Sequence, residues 1–128
     1  MLLCDTNIFI EVYRGNNTIS AELEKIGNKN IAISDITRGE LFYGAKNKAE
    51  LAMIANDLSK IFILHINTEI SKIAVNLVET YCLSHKLDID DALIAATAIY
   101  NNIELFTLNV KDFQFIDALK LCETKFLK

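Results

Sequence analysis

The stretch Leu2-Leu3-Cys4-Asp5-Thr6-Asn7 carries the reading of the fold. Leu2 to Cys4 reads as a brief buried strand that ends abruptly at an acid. Thr6 to Tyr13 then reads as a short helix, stopped by Arg14-Gly15-Asn16-Asn17. The same order returns at Ile31-Ala32-Ile33, a second buried strand followed at once by Ser34-Asp35, two good N-cap residues. Between them, Thr18 to Ile26 predicts a helix with Gly27 as its C-terminal cap.

Downstream, helices are expected over Ile36–Lys46, Lys48–Lys60, Thr68–Lys86 and Asp88–Asn101. The third of these shows helical spacing at Ile70, Ile73, Ala74, Leu77, Val78 and Tyr81. Ile61–Ile66, Glu104–Leu108 and Leu119–Leu121 are the remaining strand candidates. Strands separated by helices imply an α/β fold, a parallel sheet with helices on both faces.

A length of 128 residues fits one domain, 1–128, and a hydrophobic content of 52% excludes intrinsic disorder. Acids outnumber bases, 17 to 13, and the only arginines are Arg14 and Arg38. The basic stripe of many nucleic-acid binders is therefore missing. No apolar run reaches the roughly 18 residues of a membrane span, and the first residues lack the charged and apolar regions of a signal peptide. Three widely spaced cysteines, Cys4, Cys82 and Cys122, argue against a disulfide framework, and no Cys/His cluster suggests zinc. His65 and His85 stand alone and read as structural or surface residues. A reduced, cytoplasmic protein is expected.

In open α/β sheets ligands bind at the carboxyl ends of the strands, and here the unusual acids fall at that edge. Asp5 ends the first strand, Glu40 lies in the helix after the second, Asp91 opens the Asp88 helix, and Asp112 follows the strand ending near Leu108 and Asn109. Each has a plainer reading. Asp5 caps the next helix, Glu40 forms a capping box with Thr37, Asp91 is the partner of an Asp88 cap, and Asp112 belongs to a polar turn. Gly39 and Gly44, placed in the same expected helix as Glu40, favour a close approach there, because each costs about 1 kcal/mol relative to alanine. Asp91 shares a helix face with Ala95 and Ala98, which would bring it toward Asp5.

Four converging carboxylates repel one another, and a hard divalent cation such as Mg²⁺ or Mn²⁺ removes that penalty. Phosphodiester hydrolysis by an activated water is the chemistry such an all-oxygen site suits. Without these four, the remaining 13 acids would equal the 13 bases, so the net charge of −4 equals the charge of the proposed site. A phosphodiester substrate would then approach through metal rather than through an arginine patch.

The segments Leu3-Cys4-Asp5-Thr6-Asn7, Ile36-Thr37-Arg38-Gly39-Glu40-Leu41 with Tyr43-Gly44-Ala45, Asp91-Ala92-Leu93-Ile94-Ala95-Ala96-Thr97-Ala98 and Thr107-Leu108-Asn109-Val110-Lys111-Asp112-Phe113 together resemble the PIN domain. In their order and intervals they resemble the VapC-type toxins of toxin–antitoxin pairs. The resemblance spans essentially the whole chain. It implies a three-layer α/β/α sandwich and Mg²⁺- or Mn²⁺-dependent endoribonuclease activity on structured RNA, often a tRNA in relatives. Asp5, Glu40 and Asp91 match the family's acidic positions, with Asp5 and Asp91 as metal ligands; Asp112 and Asn109 share the fourth corner. Asp90 is set aside because Asp91 directly precedes Ala-Leu-Ile-Ala-Ala.

Thr6, Asn7, Thr107 and Asn109 are candidates to hydrogen-bond the carboxylates or water, and Arg38, Lys46, Lys48 and Lys111 are candidate RNA contacts. The resemblance also implies a homodimer and a VapB-like antitoxin whose tail covers the acids. Phe42, Tyr43, Leu51 and Ile54 are candidates for an exposed groove. Two other readings compete. One is phosphoryl transfer through an aspartyl-phosphate at Asp5, which lacks the second acid of an Asp-x-Asp pair. The other is a PIN scaffold that binds a partner without catalysis.

Overall fold

The computed structural model describes residues 1–122. Four short parallel strands, β1 (Leu2–Cys4), β2 (Ile31–Ser34), β3 (Phe62–Leu64) and β4 (Glu104–Phe106), lie in the order β3-β2-β1-β4. Strand alternation sends successive side chains to opposite faces, so the sheet is buried twice. Leu3, Ala32 and Leu105 join one core with α5 (Thr68–His85) and α6 (Ile89–Asn101). Cys4, Ile31, Ile33 and Phe106 join the other with α1 (Thr6–Tyr13), α2 (Asn17–Ile26), α3 (Asp35–Tyr43) and α4 (Lys48–Leu58). The result is the three-layer α/β/α sandwich. None of these helices is long and apolar enough to cross a membrane.

Helix starts follow local side-chain chemistry. Asn16, Ser34, Asn47, Asn67 and Asp88 each accept a hydrogen bond from a backbone N–H three residues on, the N-cap bond that satisfies an otherwise orphaned donor. Gly27, with φ at +84°, closes α2 as expected.

Several boundaries differ from the sequence reading. α3 stops at Tyr43 rather than Lys46, because Asn47 must be extended to cap α4 through the Glu50 N–H. Gly44 therefore lies beyond the helix, its N–H bonded to the Glu40 carbonyl. α4 ends at Leu58, and the expected strand over 61–66 shrinks to Phe62–Leu64. β4 stops at Phe106, because the Thr107 hydroxyl turns to Asp5. The candidate last strand is reduced to one bridge, Leu121 to Leu105.

Of the four candidate groove residues, Ile54 is core at 4% exposure, whereas Tyr43 is 93% exposed. Leu51 is exposed, and Phe42 is half-buried under the Arg38 guanidinium. His65 sits at the surface beside Asp35, and His85 stacks on Phe115.

The layering makes a direct prediction. Ile94 of α6 is fully buried in the core that α5, α6 and the sheet share, so Ile94→Ala should lower the unfolding free energy by about 2–5 kcal/mol. Leu83→Ala, at a position 96% exposed on α5, should change it by about 0.5 kcal/mol or less. Urea denaturation checks both, and equal effects would contradict the packing.

Candidate active site

Asp5 leaves the end of β1 between its two neighbouring strands, with its N–H bonded to the Phe106 carbonyl. Its Oδ1 accepts from the Thr6 N–H at 2.8 Å and its Oδ2 accepts from the Thr107 hydroxyl at 2.7 Å. The Thr107 Oγ1 in turn accepts from the Asn109 N–H at 3.0 Å. An ordinary N-cap accepts from the second or third helical residue. Asp5 accepts from the first, and its other oxygen is held by a residue 102 positions away. Capping alone does not describe it.

Glu40 is held by a chain of hydroxyls. A carboxylate only accepts, which assigns the Thr6 proton to Glu40 Oε1 at 2.7 Å. Thr6 Oγ1 lies 3.0 Å from the Thr37 Oγ1 and Thr37 lies 3.3 Å from the Ser34 Oγ, so the remaining protons run from Ser34 to Thr37 to Thr6. Thr37 and Ser34 are fully buried. The capping-box reading of Glu40 with Thr37 fails, because Ser34 is the cap of α3 and accepts from the Thr37 N–H. The glycine argument fails too. Added Cβ atoms would meet open space at Gly39 and ordinary contacts at Gly44, so neither glycine clears room for Glu40.

Asp91 stands in the first turn of α6, where Asp88 Oδ1 accepts its N–H at 3.0 Å. Its own carboxylate is left to face the other acids. Asp5, Glu40, Asp91 and Asn109 line one cleft of about 310 Å³ together with Thr6, Asn7, Ile10 and Tyr43. Asp112 does not line it. The short 3₁₀ turn Val110–Asp112 places Asn109 on the cleft and leaves Asp112 exposed beside it, near enough for its charge to act on Asp5 and Asp91.

The electrostatics record the crowding. Burial raises the Asp5 pKa, and the Thr107 and Thr6 hydrogen bonds oppose that rise. Asp91 is pushed up to about 7, first by burial and then by the charges of Asp88, Asp5, Asp112 and Glu40. Cys4, next to Asp5, has its thiol raised to about 12 chiefly by burial, so it is no nucleophile. None of the three cysteines is in a disulfide.

The candidate cations are dispersed. Arg38 pairs with Asp35 at 3.1 Å, Lys46 lines a neighbouring groove, and Lys48 and Lys111 are exposed outside the cleft. Both Asp5 oxygens are already hydrogen-bonded and, among the described residues, no lysine lines the cleft, so an aspartyl-phosphate at Asp5 gains no support.

The PIN domain family profile matches residues 2–119. The chain belongs to the PIN domain family. It is 33% identical over 123 residues to Ribonuclease VapC19 of Mycobacterium tuberculosis, a match covering 94% of this chain and 98% of that protein. Among solved structures it resembles a toxin–antitoxin complex from Klebsiella pneumoniae, with 34% identity, a TM-score of 0.80 and coverage of 93% and 95% of the two chains. VapBC2 from Rickettsia felis bound to promoter DNA matches with 28% identity, a TM-score of 0.79 and coverage of 97% and 98%. These similarities place the chain with the VapC type of PIN domain.

Among the described residues, no three His, Cys, Asp or Glu side chains stand at the spacing that would close round one ion. The donor set still suits a hard cation. Its carboxylates are all-oxygen donors, partly buried, and their charges together raise the Asp91 pKa.

That repulsion has a measurable cost. The pKa of Asp91 is higher folded than unfolded, so its ionised form destabilises the fold fully above about pH 7 and not at all below the ordinary carboxylate range near 4. Asp91→Asn should therefore stabilise the metal-free protein at pH 8 by on the order of 1–2 kcal/mol, a value discounted for partial exposure. The gain should vanish by about pH 4. Thermal unfolding at the two pH values checks this.

Proposed function

We propose that this protein is a Mg²⁺- or Mn²⁺-dependent endoribonuclease, the toxin of a VapBC-type pair. The observation that carries the reading is the convergence of Asp5, Glu40, Asp91 and Asn109 from four separate parts of the fold onto one cleft. The relative named as a ribonuclease and the neighbours solved as toxin–antitoxin complexes support the same reading.

When bound, the divalent ion offsets negative charge on acids and phosphodiester and makes a water more acidic. Asp5 and Asp91 would hold it. The Thr107 hydroxyl and Thr6 N–H fix the Asp5 carboxylate so that little rotamer freedom is lost on binding. Glu40 keeps Oε1 on Thr6 and leaves Oε2 to take a proton from the attacking water. That water forms the new P–O bond as the bond to the leaving oxygen breaks. The Asn109 side chain lies on the cleft with amide donors to orient water or a phosphate oxygen, and Asn7 can do the same. Asp112 acts from outside, as charge. A tRNA is the structured RNA to test first, and a VapB-like antitoxin and a homodimer complete the proposed assembly.

Purified protein free of its antitoxin should cleave RNA with Mg²⁺ or Mn²⁺ and stop on EDTA addition. Asp5→Asn and Asp91→Asn should abolish cleavage while retaining native circular dichroism. Thr107→Val should lower it about 10–100-fold, the usual cost of losing a group that orients a metal ligand. Wild-type rates in both acid variants would refute the assignment.

A further inference from the structure

A second groove, of about 420 Å³, opens from the acid cleft and shares Ile10 and Glu40 with it. α1 forms its length. Asp5 caps the N-terminal end of α1 and Arg14 the C-terminal end. Nine residues at 1.5 Å each separate them by about 14 Å, room for about four nucleotides at the roughly 3.4 Å rise of a stacked strand. The opposite wall comes from the α3–α4 junction, with Lys46 and Met53.

The groove carries both signs, with Glu40 and Glu50 among its lining residues. Arg14 and Lys46 line it too, and among the described residues neither forms an ion pair with an acid. An arginine and a lysine without carboxylate partners, facing one channel, suit phosphates. Tyr43, 93% exposed, stands on the rim of the acid cleft with its ring open to solvent. An unpaired aromatic beside a channel with cations is the combination that binds single-stranded nucleic acid, by stacking a base while the cations track the backbone.

We infer that this groove is the path of the RNA strand flanking the scissile phosphate, with Arg14 and Lys46 contacting backbone phosphates and Tyr43 stacking a base. The inference rests on the proposed ribonuclease activity and adds to it an unpaired segment of about four nucleotides as the substrate element. It also resolves the shortage of arginine: two unpaired cations in a groove replace a basic patch. Of the candidate RNA contacts named from sequence, Lys46 lies here and Arg38 does not, being tied to Asp35 and stacked over Phe42.

The test measures binding without cleavage. Fluorescence anisotropy of the full chain with a labelled single-stranded oligoribonucleotide, in EDTA, gives Kd across a salt series. Each single-strand phosphate contact contributes about 0.7 to the slope of log K against log salt, so Arg14→Ala/Lys46→Ala should flatten it by about 1.4. Tyr43→Ala should weaken binding about tenfold with the slope unchanged. An unchanged slope in the double variant overturns the groove assignment and leaves the ribonuclease reading intact if cleavage persists. A flattened slope in a protein that cleaves no RNA with Mg²⁺ or Mn²⁺ keeps the groove and refutes the ribonuclease reading. An unchanged slope with loss of the complex formed by the co-expressed antitoxin assigns the groove to the polypeptide and also overturns the proposal. A wild-type chain that neither binds nor cleaves RNA overturns both.

Discussion

A carboxylate buried at the end of a central strand must be hydrogen-bonded, or its desolvation costs several kcal/mol. Asp5 is 4% exposed, and both its oxygens are satisfied, one by the next backbone N–H and one by Thr107. The Thr107 bond reaches across 102 residues and joins the first strand to the turn after the last. Because Thr107 also receives the Asn109 N–H, the same bond sets where the fourth corner of the site begins. The polar side of the cleft is built outward from that pair.

Glu40 is fixed by a second polar line, Ser34–Thr37–Thr6, running under α1 and α3. The two lines meet at Thr6, whose N–H serves Asp5 and whose hydroxyl serves Glu40. Neighbouring acids are thus oriented by one residue through different atoms. Among the described residues Asp91 has no such donor on its carboxylate oxygens, and its pKa is pushed up to about 7. The fold carries unrelieved charge at the position where a cation is proposed to bind, a concentration of cost that functional sites commonly show.

Much of this was legible from the chain. Strand–helix alternation reproduces the layers, and α1 falls on its expected residues, because short-range capping and apolar spacing decide such elements. The acids at strand ends were visible for the same topological reason. The means of holding Glu40 was not. The glycine argument pointed to a close approach that the structure does not contain, whereas the actual support is hydroxyl bonds between residues 31 and 34 positions apart. That Asn109 lines the cleft while Asp112 stands exposed beside it depends on one 3₁₀ turn, a conformation that sequence spacing does not define. Arg14 passed as a helix stop, because its place beside Lys46 is a matter of tertiary packing.

The central claim is that these acids form one cation site, and direct ion binding tests it ahead of any substrate. Free Mn²⁺ measured by its electron paramagnetic resonance signal should fall when wild-type protein is added. Asp5→Asn and Asp91→Asn should leave much more of the ion free, and Mg²⁺ should compete it from the wild type. If both variants took up Mn²⁺ as the wild type does, the ion would lie elsewhere and the site described here would be contradicted.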